Sequence, residues 1–136
     1  METKFNFNSQ VCTSKIQSER LLSLGLKKET ADMFYDYHKD RIGYKYYLIP
    51  KPATLGDKRS IPAWSLHRLI EMMPYSVEVN NKTWTLQVSK GYARYGMVGT
   101  EKAYVGFIQR PNTYDAIIDC IEWLIKEGEF EKEYLV

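Results

Sequence analysis

YSVEVNNKTWTLQV, residues 75–88, is the stretch that decides how this chain is read. Apolar and polar residues alternate on both sides of Asn80 and Asn81. Asparagine is one of the few residues besides glycine that tolerates the positive φ a two-residue hairpin turn demands. With these two as the turn, Val77 falls opposite Trp84 and Tyr75 opposite Leu86, which makes one face apolar. On the other face Glu78 meets Thr83 and Ser76 meets Thr85. Turn chemistry and alternation give the same register, because a slip of one residue would send every apolar side chain to the wrong face. An antiparallel sheet is therefore expected at the centre of the fold.

Downstream, Tyr92 to Arg110 reads as a second hairpin that turns near Gly99, Thr100 and Glu101. NTYDAIIDCIEWLIKEG, residues 112–128, reads as a helix: Asn112 and Asp115 cap its start and Gly128 follows its end. Tyr114, Ile117, Ile118, Ile121, Leu124 and Ile125 form its apolar stripe. Asp115, Asp119, Glu122, Lys126 and Glu129 recur on the opposite side. Such a helix belongs across one face of the sheet.

Upstream, IPAWSLHRLIEMMP is bounded by Pro62 and Pro74 and predicts a central helix. Leu66, Leu69, Ile70 and Met73 take the core-facing positions, while Trp64, His67, Arg68 and Glu71 share the other side. YKYYLI, residues 44–49, suits a strand that Pro50 and Pro52 stop, and 52–60 reads as an exposed loop. Ser14 and Gln17 form a capping-box pattern that opens a helix from Ser14 to Leu24, and Gly25 is placed to end it. Leu26, Thr30, Met33, Phe34 and Tyr37 then recur at helical spacing, which predicts a second helix packed on the first. The sum is an α+β fold: one domain over residues 1–136, with a four- to five-stranded, mainly antiparallel sheet. An N-terminal helical hairpin, a central helix and a C-terminal helix packed on the sheet complete it.

Composition agrees with a globular chain. Of 136 residues, 44% are hydrophobic and 26% charged, ordinary values for a domain with a sizeable core. No apolar run approaches the roughly 20 residues that span a bilayer, and METKFNFNSQ lacks the apolar block of a signal peptide. A cytoplasmic protein with no membrane partner is expected. The formal net charge of +2 hides an asymmetry: residues 38–112 carry twelve basic and five acidic groups, residues 113–136 two and seven. A basic middle of this kind marks either a polyanion-binding face or a surface that the acidic end folds over and neutralises.

CTSKIQSERLLSLGLKKETADM, IPAWSLHRLIEMMP and DAIIDCIEWLIKEGEFEKEYL together resemble a group of short proteins of unassigned activity from gut bacteria, their phages and mobile elements. The resemblance spans most of the chain and carries no catalytic motif. It implies a setting, the accessory genes of mobile DNA, and no mechanism.

The inventory for catalysis is thin. The two histidines, His38 and His67, stand in no metal-binding motif, and Cys12 and Cys120 lie too far apart in sequence for a knuckle. Neither a nucleophile elbow nor a phosphate-cradling glycine loop is present. A non-enzymatic protein that needs no metal or cofactor is expected. His67 and Glu71, one helical turn apart, suit a solvated pair better than an acid and base.

Two binding surfaces remain. One is the Trp64, His67, Arg68 and Glu71 face of the central helix, whose residue types anchor protein contacts; the aromatic sheet surface is an alternative seat for the same protein partner. The other reading is single-stranded nucleic-acid binding through Lys90, Tyr92, Arg94, Tyr104 and Arg110. KGYA, residues 90–93, resembles the start of the aromatic strand motif of RNA-recognition domains, although Arg94 stands where that motif has a second aromatic and the order of elements differs. Tyr92, Tyr95, Tyr104 and Phe107 equally suit cross-strand aromatic packing. Burial of these rings under the C-terminal helix would remove the stacking platform.

Overall fold

The computed structural model describes residues 9–39, 43–50, 60–97 and 103–136. Among these residues the fold is α+β, with three α-helices and two antiparallel sheets of three and four strands. Helix α1, Lys15–Ser23, begins as its capping box requires: Gln17 N donates to Ser14 Oγ at 3.2 Å and Ser14 N to Gln17 Oε1 at 2.9 Å. Gly25, at φ 104°, turns the chain out of it.

The second helix of the expected hairpin is absent. Lys28–Thr30 make a single 3-10 turn, and Met33–Lys39 form strand β1. β1 is the middle strand of a sheet ordered β2-β1-β3, with β2 at Tyr44–Pro50 and β3 at Ile61–Ala63. Its backbone is bonded on both sides, by the next strand β2 and by the more distant β3, and that pairing outweighs the helical spacing of its apolar residues. Phe34 is buried and the Tyr35 hydroxyl donates to Thr13 O at 2.8 Å. Pro50, opposite Met33, belongs to β2 itself; proline is tolerated there because β2 is an edge strand.

β3 also shortens the central helix. Ile61–Ala63 pair with Met33–Tyr35, so helix α2 spans only Leu66–Met72. Ser65 is its N-cap: Arg68 N donates to Ser65 Oγ at 3.1 Å, and Ser65 N donates to Asp32 Oδ1 at 2.9 Å.

The four-stranded sheet runs in chain order: β4 (Ser76–Val79), β5 (Lys82–Ser89), β6 (Tyr92–Gly96) and β7 (Tyr104–Gln109). Val77 pairs with Trp84, Glu78 with Thr83 and Ser76 with Thr85, the register expected from alternation. Asn80 and Asn81 turn at φ 54° and 62°, and Leu86 N donates to Tyr75 O at 2.9 Å. The expected turn at Gly99, Thr100 and Glu101 and the expected loop at 52–59 lie outside the described residues. Between β6 and β7 the register shifts: Ala93 faces Ile108 but Tyr95 faces Val105. Arg94 therefore stands opposite two residues, Gly106 and Phe107, in a β-bulge, with Gly106 at φ 59°.

Helix α3, Thr113–Lys126, covers one face of this sheet over β6 and β7. Asp115 N donates to the Asn112 side chain at 3.2 Å, and Gly128 follows the helix at φ 74°. Ile117, Ile118, Ile121 and Leu124 are fully buried, each side chain contributing roughly 1.5–3 kcal/mol by transfer from water. Trp123 packs on Tyr95, ring centroids 6.0 Å apart. The chain end returns to α1: Lys27 N donates to Tyr134 O and Val136 N to Gly25 O, both at 2.8 Å, and Phe130 is buried. No helix among the described residues is long and apolar enough to cross a membrane.

Candidate functional site

Trp64 is not on a surface. It is 0% exposed, one residue ahead of the Ser65 cap, and so never joins the outer side of α2. Its indole Nε1 donates to Thr30 Oγ1 at 3.0 Å, its backbone N donates to Thr13 Oγ1 at 3.1 Å, and Thr13 N donates back to Trp64 O at 2.9 Å. The polar edge of the ring is satisfied inside the protein, which makes Trp64 the lock between Thr13, the 3-10 turn at Lys28–Thr30 and the end of β3. The expectation that it anchors a partner is corrected.

Its three companions are on α2, where the Glu71 carboxylate takes His67 and also reaches Arg68, Oε2 to Nη1 3.7 Å. His67 is well exposed and pairs with Glu71, Nε2 to Oε1 2.9 Å, while Arg68 turns inward. Arg68 Nε donates to Thr30 O at 2.8 Å and its guanidinium lies 5.8 Å from the centroid of the Tyr134 ring. Arg68 thus helps hold the chain end rather than face solvent.

The sheet residues fare differently. Ala93 and Tyr95 on β6 are buried toward α3, so Tyr92 and Arg94 point to the other face, which no described helix covers. Across the strand gap, the bulge brings Phe107 to that same face. Its ring lies 4.9 Å from Tyr104 and 6.0 Å from Tyr92, centroid to centroid. The Arg94 guanidinium carbon sits 5.3 Å from the Tyr92 centroid and 5.2 Å from the Tyr104 centroid. Arg94 Nε donates to Gln87 Oε1 at 2.7 Å, which fixes the guanidinium over the rings. Gly96 leaves room for this: a Cβ there would stand 2.8 Å from Gln87 Oε1. Tyr104 is 43% and Phe107 37% exposed, so their rings are reachable from solvent.

Lys90 and Arg110 stand at the end of this face, where they line a cleft of about 360 Å³ with Gly91, Gln109 and Pro111. Arg110 is partly spent: its Nη1 lies 2.8 Å from Asp119 Oδ2 of α3. Asp119 also takes Arg20 of α1 at 2.6 Å. Lys90 has no ion-pair partner among the described residues. Among the described residues the acidic helix thus neutralises Arg110 of the basic middle, whereas the tail beyond it docks against Gly25–Lys27 instead.

Three of the five expected residues, Tyr92, Arg94 and Tyr104, come together, while Lys90 and Arg110 line the cleft at the strand end. Gln87 and Phe107 complete the cluster. Gln87 was readable from the period-2 alternation that already faces it to Arg94. Phe107 was not assignable to this face, because unbroken alternation from Tyr104 sends it to the other one.

Cys12 and Cys120 are free and buried. Burial pushes the Cys120 thiol up to about 12, and burial likewise raises Cys12, whose Sγ lies 3.5 Å from the Tyr35 hydroxyl oxygen. Both thiols are protonated and unreactive at neutral pH. No three His, Cys, Asp or Glu side chains stand together as metal ligands among the described residues. No protein-family model matches the chain, and no curated protein or solved structure does either.

Proposed function

We propose that this protein acts without catalysis, by binding a protein partner through the uncovered face of the β4–β7 sheet. Tyr92, Arg94, Tyr104 and Phe107 form the centre of the contact. The setting, an accessory protein of a phage or mobile element, rests on the sequence resemblance alone, and a cytoplasmic location on the lack of a long apolar run in the sequence.

The observation that carries this reading is Arg94, held between Tyr92 and Tyr104 and tied to Gln87. Tyrosine and arginine are over-represented among the residues that dominate interface energetics. A cluster already fixed before docking loses little side-chain entropy on binding. The rest of the face carries Ser76, Thr83 and Thr85 with the acidic Glu78, which suits a polar rim more than a phosphate track.

Affinity capture from the native host, with and without nuclease, tests it when wild type and Arg94→Ala are compared. The expected result is a nuclease-resistant protein retained by wild type and lost at least tenfold by the variant at equal melting temperature. A partner held equally by Arg94→Ala and Phe107→Ala overturns the reading.

A second reading, single-stranded nucleic acid, is favoured by the fact that α3 covers Tyr95 but leaves Tyr92, Tyr104 and Phe107 open for stacking. Only two cations near the rings, Lys90 and Arg94, lack an acidic partner among the described residues, and Arg110 is paired with Asp119, which weighs against it.

A further inference from the structure

β7 ends its sheet: β6 bonds one side of it and no described strand bonds the other. Arg110 N donates to Gly91 O at 2.8 Å, and Ala93 stands opposite Ile108. Gln109, opposite Tyr92, lies between these two bonded pairs, in the position whose N–H and C=O turn away from β6 toward the open edge. Proteins commonly blunt such edges with lysine, proline or inward-pointing charge. Tyr104–Gln109, YVGFIQ, carries none of these. Its one irregularity, the bulge at Gly106 and Phe107, lies before Ile108 and leaves the stretch up to Arg110 regular.

Two clefts flank this edge. On the α3 side, one of about 350 Å³ is lined by Ile108, Asp119, Glu122, Trp123 and Lys126. Its carboxylates are answered within the protein, Asp119 by Arg20 and Arg110, and Glu122 by Arg20 at 2.9 Å and Lys126 at 3.5 Å. What the cleft offers a newcomer is the apolar surface of Ile108 and Trp123. At the far end of the strand, the second cleft holds Lys90, which is unpaired among the described residues, and Arg110, which gives only one nitrogen to Asp119.

We propose that β7 takes up an extended segment of the partner protein as an added strand. One apolar side chain of that segment enters the Ile108–Trp123 cleft, and a carboxylate sits at Lys90 and Arg110. Charge complementarity selects the occupant: among the described residues the unanswered charge along the edge is positive and lies at one end, so the segment is acidic at one end and apolar within. The edge presents alternating donors and acceptors, which an extended peptide matches and a nucleic acid does not. This inference rests on the protein-binding reading above but uses the backbone of β7, whereas that reading uses the side chains of the open face.

The test is selection of binders from phage-displayed random dodecapeptides, presented once with a free C-terminus and once followed by a linker. Recovered peptides are expected to carry a carboxylate at one end. Recovery only with a free C-terminus assigns it to the chain end; recovery in both formats assigns it to Asp or Glu. Gln109→Pro deletes the outward N–H without touching the β6 ladder, and is expected to weaken the recovered peptides at least tenfold. Lys90→Ala is expected to weaken them several-fold. If Gln109→Pro unfolds, the wild-type Gln109 amide supplies the readout: its hydrogen exchange slows on peptide binding if the strand is added.

Failure to recover any peptide, peptides that bind Gln109→Pro as tightly as wild type, or unchanged exchange at Gln109 each overturn strand addition. None of these touches the open-face reading, which falls separately if Arg94→Ala retains the natural partner.

Discussion

The indole of Trp123 lies against the backbone of Gly106 so closely that a Cβ at position 106 would stand 2.7 Å from Trp123 Cε3. Gly106 also holds φ 59° in the bulge that turns Phe107 to the open face. Gly106→Ala therefore meets two penalties, a left-handed backbone and an overpacked contact. Together they are expected to lower stability by about 2–4 kcal/mol, read from urea unfolding. Because α3 meets the bulge at Gly106, the variant is also expected to disorder the Phe107 and Tyr104 rings, seen as a loss of their chemical-shift dispersion.

Trp64 belongs to the core, and its substitution should report stability. Trp64→Ala is expected to cost about 3–5 kcal/mol. Trp64→Phe keeps most of the apolar volume but leaves Thr30 Oγ1 without the indole donor, 3.0 Å away in the native protein, and is expected to cost about 1–3 kcal/mol. Thr30→Val combined with Trp64→Phe removes both halves of that bond and should recover part of the loss. Denaturant midpoints of the two single variants and the double variant check this directly.

Alkaline pH should unfold this protein through its buried thiol and phenol. Burial raises Cys120 from 9.0 up to about 12 and raises Tyr95 from 10.0. A group whose folded-state value is raised stabilises the fold fully below its unfolded value, and that contribution is lost as pH climbs toward the folded value. Stability is thus expected to hold up to about pH 9 and to fall from there toward pH 12, with Tyr95 joining from about pH 10. Tyr95→Phe and Cys120→Ala should each flatten this limb relative to wild type, whatever they do to stability at pH 7. Melting temperatures at pH 7, 9 and 10.5 would decide, and an unchanged slope in both variants would contradict the assignment.

What sequence could and could not reveal follows from the range of the forces involved. The β4–β5 register was legible because Asn80 and Asn81 and the alternation around them act locally. The ends of α1 and α3 were legible because capping pairs such as Ser14 with Gln17 lie within one turn. Residues 26–37 misled because Met33, Phe34 and Tyr37 fit a helical period, and only β2 and β3, reached through later segments, pull them into a strand. Trp64 misled by one step of the same kind. Once Ile61–Ala63 pair with β1, the helix starts after Ser65 and Trp64 leaves its surface. At the candidate site the rings and cations were legible by type, but the face they share depends on the Gly106 bulge, which alternation cannot foresee.

The turn offers a local check of the same logic. Asn81 sits at φ 62°, a conformation that costs a non-glycine residue roughly 1–2 kcal/mol, less for asparagine. Asn81→Gly is expected to stabilise the protein by a few tenths of a kcal/mol up to about 1, and Asn81→Ala to destabilise it by about 1. Thermal unfolding of the two variants should move in opposite directions.

The last prediction separates the two readings of the open face. Nucleic-acid affinity falls with salt by a logarithmic slope of roughly −0.7 per phosphate neutralised on a single strand. The described cations near the rings are Lys90, Arg94 and Arg110, and Arg110 is already held by Asp119 at 2.8 Å. Two remaining cations bound the slope at about −1.4, too shallow a charge contribution to sustain binding at physiological salt. The expected outcome is therefore no measurable oligonucleotide binding at 150 mM salt and, at most, weak binding near 10 mM. Asp119→Asn should release Arg110 and steepen any slope by about 0.7, and Arg94→Ala should shallow it by the same amount. Tyr92→Ala should cost stacking of roughly 1–3 kcal/mol with the slope unchanged. Removing residues 129–136 should not expose new affinity, because that segment docks on Gly25–Lys27 and leaves the ring face untouched; it should lower the melting temperature instead. Tight binding at 150 mM with a slope well beyond −1.4 would replace the protein partner with a nucleic acid and require cations from outside this cluster.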